Sequence, residues 1–385
     1  MSLDDIYANR EQTQVKHYIL RHYLRRFAHI VGGHWNSITY IDGFAGPWNV
    51  RSPELRDSSF AIALAELREA RETHRTRGHS IKLRCCFLEQ NAEAYSQLRE
   101  FAENVADAEV KAFNSSFEES VNSILNFVRS DNQTFPFLFI DPTGWTGFSL
   151  RPISPLLRLN PGEVLINFMT SHIRRFLNEP QSQQSFEDLF GSGGFRERII
   201  GLSGLQLDDV IVSEYMNNLK RAGNFDYVLP AIVLHPEINR LHFHLIYATR
   251  HPKGVEVFKD AEKRAMQEME RIRAEAQRRR REEQTGQREL LFSTPANSAS
   301  NYYSNLREHY LSQSREKVLG RLAQNQRVLY KDAWILALGL PLVWESDLKN
   351  WIEEWQQSGK IRIEGLQGRE RVPSRAQPHF LVWQE

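Results

Sequence analysis

Apolar side chains along this chain alternate between two rhythms. From Glu11 to Ile30, positions Val15, Tyr18, Ile19, His22, Tyr23, Arg26 and Phe27 recur at spacings of three and four with charge between them, the period of an amphipathic helix. "SITYIDGFAGP" then compresses β-branched and aromatic residues into a short run that breaks off at Asp42 into small residues, as a strand does when it leaves through a tight turn. The helical period returns in "SFAIALAELREARETH". "IKLRCCFLEQN" is a short apolar run closing on Glu89, "AEAYSQLREFAENV" is helical, and "AEVKAFNSSFEESVNSILNFV" repeats the order of strand then helix. "FPFLFIDPTGW" predicts a buried strand ending at Asp141 and Pro142, "LRPISPLLRL" a helix, and "GEVLINFM" another strand. Strands alternating with helices imply an α/β domain, a parallel sheet covered on both faces.

Between 171 and 224 the chain turns helical and polar around a "GSGG" break at 191–194, which predicts an inserted helical cap acting as a lid or substrate surface. "FDYVLPAIVLHPEINRLHFHLIYATRHP" restores two strands about the turn "HPEINR", a hairpin that would finish the sheet with an antiparallel strand. Five parallel strands and a terminal hairpin resemble the Rossmann-like sheet of class I S-adenosylmethionine-dependent methyltransferases. After Pro252 the composition becomes strongly charged, with four arginines in a row from Arg278 to Arg281 and the polar "STPANSASN" behind them. The pattern divides the chain into a Rossmann domain at 1–260, a charged helix and linker at 261–303, and a C-terminal domain at 304–385. In that last part Ser346 is the expected N-cap of a helix whose Leu348, Trp351, Ile352 and Trp355 share one apolar face, and Gly359 is its stop. "KIRIEG" and "HFLVW" are strands around the loop "LQGRERVPSRAQP", and helices followed by such a ribbon predict a winged helix.

Bulk properties narrow the picture. The 385 residues exceed what one core usually organises, so two domains are expected. Lysine and arginine number 49 against 48 aspartate and glutamate, so any attraction for nucleic acid must be local. The two cysteines, Cys85 and Cys86, are adjacent, a poor geometry for a structural disulfide. The N-terminal stretch has no charged head before an apolar core, and no run reaches the roughly eighteen apolar residues of a membrane span. These features predict a cytoplasmic protein without a membrane partner.

The chemistry gathers at strand ends, where the ligand crevice of an open α/β sheet lies. "DGFAGP", Asp42 to Pro47, has the small residues that let a cofactor approach backbone N–H groups, which assigns Asp42, Gly43, Phe44, Ala45 and Gly46 to cofactor binding. Asp42 would contact the methionine portion, Glu89 the ribose hydroxyls and Asn114 to Ser116 the adenine. In "FIDPTGW" a strand-end Asp-Pro precedes an aromatic, as in enzymes that methylate exocyclic amines. The assigned roles are Asp141 and the Pro142 carbonyl on the amine and Trp145 stacked on its ring. Lys16, Arg174, Arg175, Lys220 and Arg221 are candidate phosphate contacts. His242 and His244 share one strand face without a third ligand, so no metal is expected and they are placed in the core or facing substrate. The predicted recognition helix carries Glu345, Asp347, Glu353 and Glu354 against Lys349, and the wing the basic Arg369, Arg371 and Arg375.

"VKHYILRHYL", "YIDGFAGPW", "FIDPTGWTGF", "LINFM" and "HLIYATRHPKGVEVFKD" together resemble the three-Cys-motif partner protein (TcmP) family, and the resemblance covers most of the chain. It implies a class I methyltransferase-like fold, S-adenosylmethionine as cofactor, and a radical-SAM-like partner protein that carries the three cysteines. Family members continue the turn as Gly-Pro-Gly, where this chain has Trp48. Two functions follow as expectations: a methyltransferase acting on nucleic acid, DNA or RNA, with that partner, or a non-catalytic adaptor of the same fold that recruits it.

Overall fold

The computed structural model describes residues 6–46, 50–52, 55–177, 179–191, 195–286, 298–368 and 370–384. Trp48 and Arg369, both singled out above, lie outside them, as does 192–194 of the "GSGG" break. The chain forms two compact units, Met1–Val228 with Ile232–Gln277, and Leu229–Ala231 with Arg278–Glu385.

The first unit is mixed α/β. Helix α1 (Glu11–Gly32) precedes β1 (Ser37–Asp42), and the order continues α2 (Ser59–Arg75), β2 (Lys82–Leu88), α3 (Ala92–Glu103), β3 (Glu109–Phe113), α4 (Val121–Arg129), β4 (Thr134–Ile140), α5 (Leu150–Leu157) and β5 (Glu163–Phe168). Then follow α6 (Thr170–Phe176), α7 (Gln183–Phe190), α8 (Phe195–Ile199), α9 (Gly204–Gly223), β6 (Tyr227–Leu234), β7 (Leu241–Thr249) and α10 (Pro252–Thr285), with Leu229–Ala231 of β6 and the last turns of α10 from Arg278 counted in the second unit. The seven strands lie in the order β3-β2-β1-β4-β5-β7-β6. β1 to β5 are parallel, and β7 runs against β5 with Phe168 opposite His244. β1 and β5 are buried at every residue, because helices cover both faces of a parallel sheet. Strand order reverses between β1 and β4, so the ligand crevice of this sheet type falls beyond Asp42 and Ile140.

The predicted helical cap is part of the main core. Phe186, Leu189, Phe190, Ile211, Tyr215 and Leu219 belong to one buried cluster with Leu138 and Ile140 of β4 and Ile153 and Leu156 of α5. Tyr215 stacks on Phe168 at the end of β5, ring centroids 4.3 Å apart. These helices therefore cover one face of the sheet, and their polar residues, which suggested a lid, occupy the outer side.

The change of composition near 260 does not break the structure either. α10 is continuous from Pro252, because Val255, Phe258, Ala261, Ala265, Met266, Met269 and Ile272 form a buried stripe beneath the charged residues. Its start explains "HLIYATRHPKGVEVFKD": a Cβ on Gly254 would lie 2.8 Å from Oε1 of the buried Glu163. That carboxyl, pushed up by burial, accepts bonds from Tyr23 and from Thr249 Oγ1 at 2.8 Å.

In the second unit α11 (Ser298–Asn325), β8 (Arg327–Leu329), α12 (Tyr330–Leu338), α13 (Glu345–Gln357), β9 (Ile361–Glu364) and β10 (Phe380–Trp383) follow in turn. The strands form an antiparallel sheet in the order β8-β10-β9. Trp334, Leu348, Trp351 and Trp355 fill its core. Ser346 lies inside α13 and does not cap it. Trp344 is the N-cap, and Asp347 Oδ2 accepts its N–H at 2.9 Å. The helix ends at Gly359, whose φ of +73° favours glycine.

At the N-terminal ends of the parallel strands Arg250 donates to the carbonyls of Leu157, Leu159, Gly162 and Gly223 and lies over the Phe225 ring. Arg250→Ala strands those carbonyls and is expected to cost about 3 kcal/mol in urea unfolding, with Arg250→Lys intermediate. An unchanged midpoint would show that the clamp contributes nothing.

Candidate functional site

A cavity of about 680 Å³ opens at the carboxyl ends of β1 to β4. Its walls are Gly43 and Phe44 after β1, Leu88 to Asn91 after β2, Ser115 to Phe117 after β3, and Asp141 with Pro142 after β4. A smaller cavity of about 270 Å³ lies on the other side of the Asp141–Pro142 wall, lined by Lys16, His17, Asn167 and His242 among others. Phe44, Asp141, Pro142 and Thr143 border both.

The turn after β1 is held closed from within. Gly43 N–H donates to Phe139 O at 2.9 Å, Ala45 N–H to Leu88 O at 2.8 Å, and Phe44 N–H to Asp42 Oδ1 at 3.2 Å. Three consecutive N–H groups of the expected cradle are thus spent on β4, on β2 and on the Asp42 side chain, and this part of the turn contributes shape. A Cβ on Gly43 would come within 2.8 Å of the Phe117 ring, so the missing side chain admits Phe117. Ala45 is buried, and Gly46 borders the smaller cavity.

Asp42 lies beneath this turn and lines neither cavity. It is fully buried and accepts from Ser59 Oγ at 2.6 Å and Tyr40 OH at 3.2 Å as well as from Phe44 N–H. Burial pushes its carboxyl up to about 7; the Ser59 bond opposes the rise and the nearby Asp141 charge adds to it. Glu89 does border the larger cavity, with Oε1 accepting the Asn91 N–H at 2.6 Å. Asn114 stands behind it, donating to the carbonyls of Glu89 and Gln90 at 2.9 and 3.1 Å, and so fixes the acidic loop while Ser115 and Ser116 meet the cavity.

Asp141 is gripped at both oxygens: Lys16 Nζ lies 2.5 Å from Oδ2 and Asn167 Nδ2 donates to Oδ1 at 2.7 Å. Trp145 is not brought to either cavity. Its ring packs against Phe176 and Phe186, centroids 4.7 and 5.4 Å away, and its Nε1–H donates to Ser185 Oγ at 3.0 Å. The intervening Thr143 and Gly144 carry the aromatic past the crevice and into the helical layer.

Three of the five expected phosphate contacts are engaged within the protein, and Arg175 lies over the Phe176 ring. Lys16 pairs with Asp141, Arg174 with Asp208 at 2.7 Å, and Arg221 donates to Asn218. Lys220 and Arg221 close α9 beside Gly223, at the end of the sheet clamped by Arg250 and away from the crevice. His244 is buried against Thr170 Oγ1 at 2.7 Å, whereas His242 borders the smaller cavity. Burial lowers them to about 3 and about 4 respectively, so both are neutral at pH 7. No group of three metal-ligating side chains occurs among the described residues. Sequence reasoning passed over Asn167, the one polar residue in "LINFM", which lies next to the last residue of β5 as Glu89 and Asp141 lie just past the ends of β2 and β4.

A third cavity, about 670 Å³, sits at the opposite end of the sheet between Tyr23, Phe27, Phe135 and Val257. No helix among the described residues is long and apolar enough to cross a membrane.

Solved structures similar to part of this chain include the following two. A Legionella pneumophila protein described under the family model DUF519 aligns over 61% of this chain and 84% of its own, at 10% identity and a TM-score of 0.36. A candidate methyltransferase from Thermobifida fusca aligns over 60% and 80%, at 10% identity and a TM-score of 0.31. No family model and no curated protein matches the sequence.

The Asp42 carboxyl yields a pH test. A group raised from 3.8 to about 7 on folding contributes stability fully present below 3.8 and lost as pH rises through about 7. Asp42→Asn removes that titration, so its melting temperature is expected to fall less than the parent's between pH 5 and 7.5. Parallel curves would place the buried proton elsewhere.

Proposed function

We propose that this protein is an S-adenosylmethionine-dependent methyltransferase acting on nucleic acid, assisted by a radical-SAM-like partner of the three-Cys-motif type. The observation that carries the enzyme reading is the 680 Å³ cavity at the point where strand order reverses, with an acidic side chain at the end of β2. An antiparallel β7 beside β5 is the sheet feature expected of the class I methyltransferases.

The lining fits the cofactor. Glu89 offers a carboxylate to two ribose hydroxyls, Gln90, Asn91, Ser115 and Ser116 offer polar groups to a base edge, and Phe44, Leu88 and Phe117 give an apolar surface. When bound, the cofactor supplies an electrophilic methyl group. The chain's own part is placement: the two cavities meet along Phe44, Asp141, Pro142 and Thr143, where donor and acceptor can come into contact, and Lys16 and Asn167 hold the Asp141 carboxylate at that border.

The second unit supports a winged-helix reading, since its strands and helices alternate as α-β-α-α-β-β about a small antiparallel sheet. The charges on α13 favour a protein over a phosphate backbone as its contact: Glu345 pairs with Lys349, and Glu353 and Glu354 lie on the exposed side. Arg375 covers the Trp334 ring at 4.1 Å, and Arg371 is exposed on the wing. That observation also favours the second reading, an adaptor that uses this unit to recruit its partner.

Titration calorimetry with S-adenosylmethionine and S-adenosylhomocysteine separates the two readings. Micromolar binding that weakens by about 1–2 kcal/mol in Glu89→Ala is expected for the enzyme. Absence of heat from protein that melts cooperatively would reject it in favour of the adaptor.

A further inference from the structure

The smaller cavity has a distinctive polar lining. Three of its side chains carry a buried atom without a hydrogen-bond partner: Asn167 Oδ1, Arg10 Nε and His242 Nδ1. Asn167 is 3% exposed, and a buried polar atom left unpaired costs on the order of 1–3 kcal/mol, so such atoms mark places where a ligand can complete the bonding.

The orientation of Asn167 is fixed by its neighbour. Only its Nδ2 can donate to the Asp141 carboxylate, so its Oδ1 is the remaining face and must accept. Arg10 Nε–H is a donor by chemistry, its Nη2 already committed to Asp57 at 2.7 Å. The charges are balanced in pairs, Arg10 with Asp57 and Lys16 with Asp141. His242 and His17 are both held neutral by burial, His17 with the help of the Lys16 charge. An ion entering here would be desolvated without a counter-charge, so the lining selects an uncharged ligand that both gives and takes a hydrogen bond. A volume of about 270 Å³ lies at the small end of ligand sites and suits one ring system rather than a whole nucleotide.

We propose that this cavity is the methyl-acceptor site and takes an uncharged aminated nitrogen heterocycle, with Asn167 Oδ1 accepting the exocyclic N–H. The proposal rests on the methyltransferase reading and departs from the sequence-based assignment: Asn167 holds the amine, Asp141 acts through Asn167 as a positioning residue, and Trp145 packs away from the cavity and does not stack on the ring. A ring nitrogen beside the amine supplies the acceptor that Arg10 Nε–H lacks. The same chemistry is presented by a free base and by an unpaired base in a polynucleotide.

Ligand-observed NMR competition with the full chain tests this, with and without saturating S-adenosylhomocysteine. The probes are adenine against purine, cytosine against pyrimidin-2-one, and single-stranded DNA and RNA hexamers. At least one aminated base is expected to bind ten-fold or more tightly than its partner lacking the amine. Asn167→Ala should reduce that preference to near one while S-adenosylhomocysteine affinity stays within about three-fold. Tighter binding of a hexamer than of the free base identifies a polynucleotide acceptor, and the reverse a small molecule. Equal binding of aminated and deaminated bases, an unchanged preference in Asn167→Ala, or no binding of any probe would overturn the proposal. The base comparisons use the unaltered protein and decide the matter even if the variant does not fold. Base selectivity without any binding of S-adenosylhomocysteine would sink the methyltransferase reading and leave the ligand class of the cavity standing.

Discussion

Three distant segments converge where Lys16 meets Asp141 at 2.5 Å and Asn167 donates to the other carboxylate oxygen. One comes from α1, one from the end of β4 and one from the end of β5, and all the surrounding geometry follows from their meeting. Both ions are largely withdrawn from solvent, with side-chain exposures of 11% and 14%, so removing either would leave the other poorly compensated. The bridge ties α1 to the ends of β4 and β5, stands where the two cavities meet and turns the Asn167 carbonyl away from Asp141. Without this carboxylate the Asn167 amide would lose the partner that fixes its orientation.

The turn after β1 contributes in a complementary way. Its N–H groups are consumed by Phe139, Leu88 and Asp42, so the turn is rigid and its surface is set by Phe44 and by the Phe117 ring that Gly43 admits. On the proposed reading a cofactor would be held by the acidic loop after β2, braced by Asn114, more than by backbone amides. The small residues of "DGFAGP" are thus explained largely by the packing of the protein on itself.

Much of this fold was legible because parallel strands buried on both faces read as short apolar runs, and their ends fall on residues such as Glu89 and Asp141 that the run itself marks. The helical layer between β5 and β6 was legible as helices but misread as a lid, since a face that packs on other helices carries the same period as one that covers a substrate. Trp145 illustrates a second limit: proximity in sequence to Asp141 does not determine whether a ring turns toward the crevice or into Phe176 and Phe186. Lys16 and Asn167 stand 151 positions apart, and nothing local to either announces that they share a carboxylate. Buried polar pairs joined through the fold are the part of a site that a single sequence conceals.

The most direct test of this account is a crystal structure of the protein with S-adenosylhomocysteine. The ligand is expected in the larger cavity, its ribose hydroxyls on Glu89 and its sulfur toward the wall formed by Phe44 and Asp141, with the Lys16–Asp141–Asn167 bridge intact. Density instead in the cavity at the opposite end of the sheet, or in the crevice with the Lys16–Asp141–Asn167 bridge broken, would contradict it.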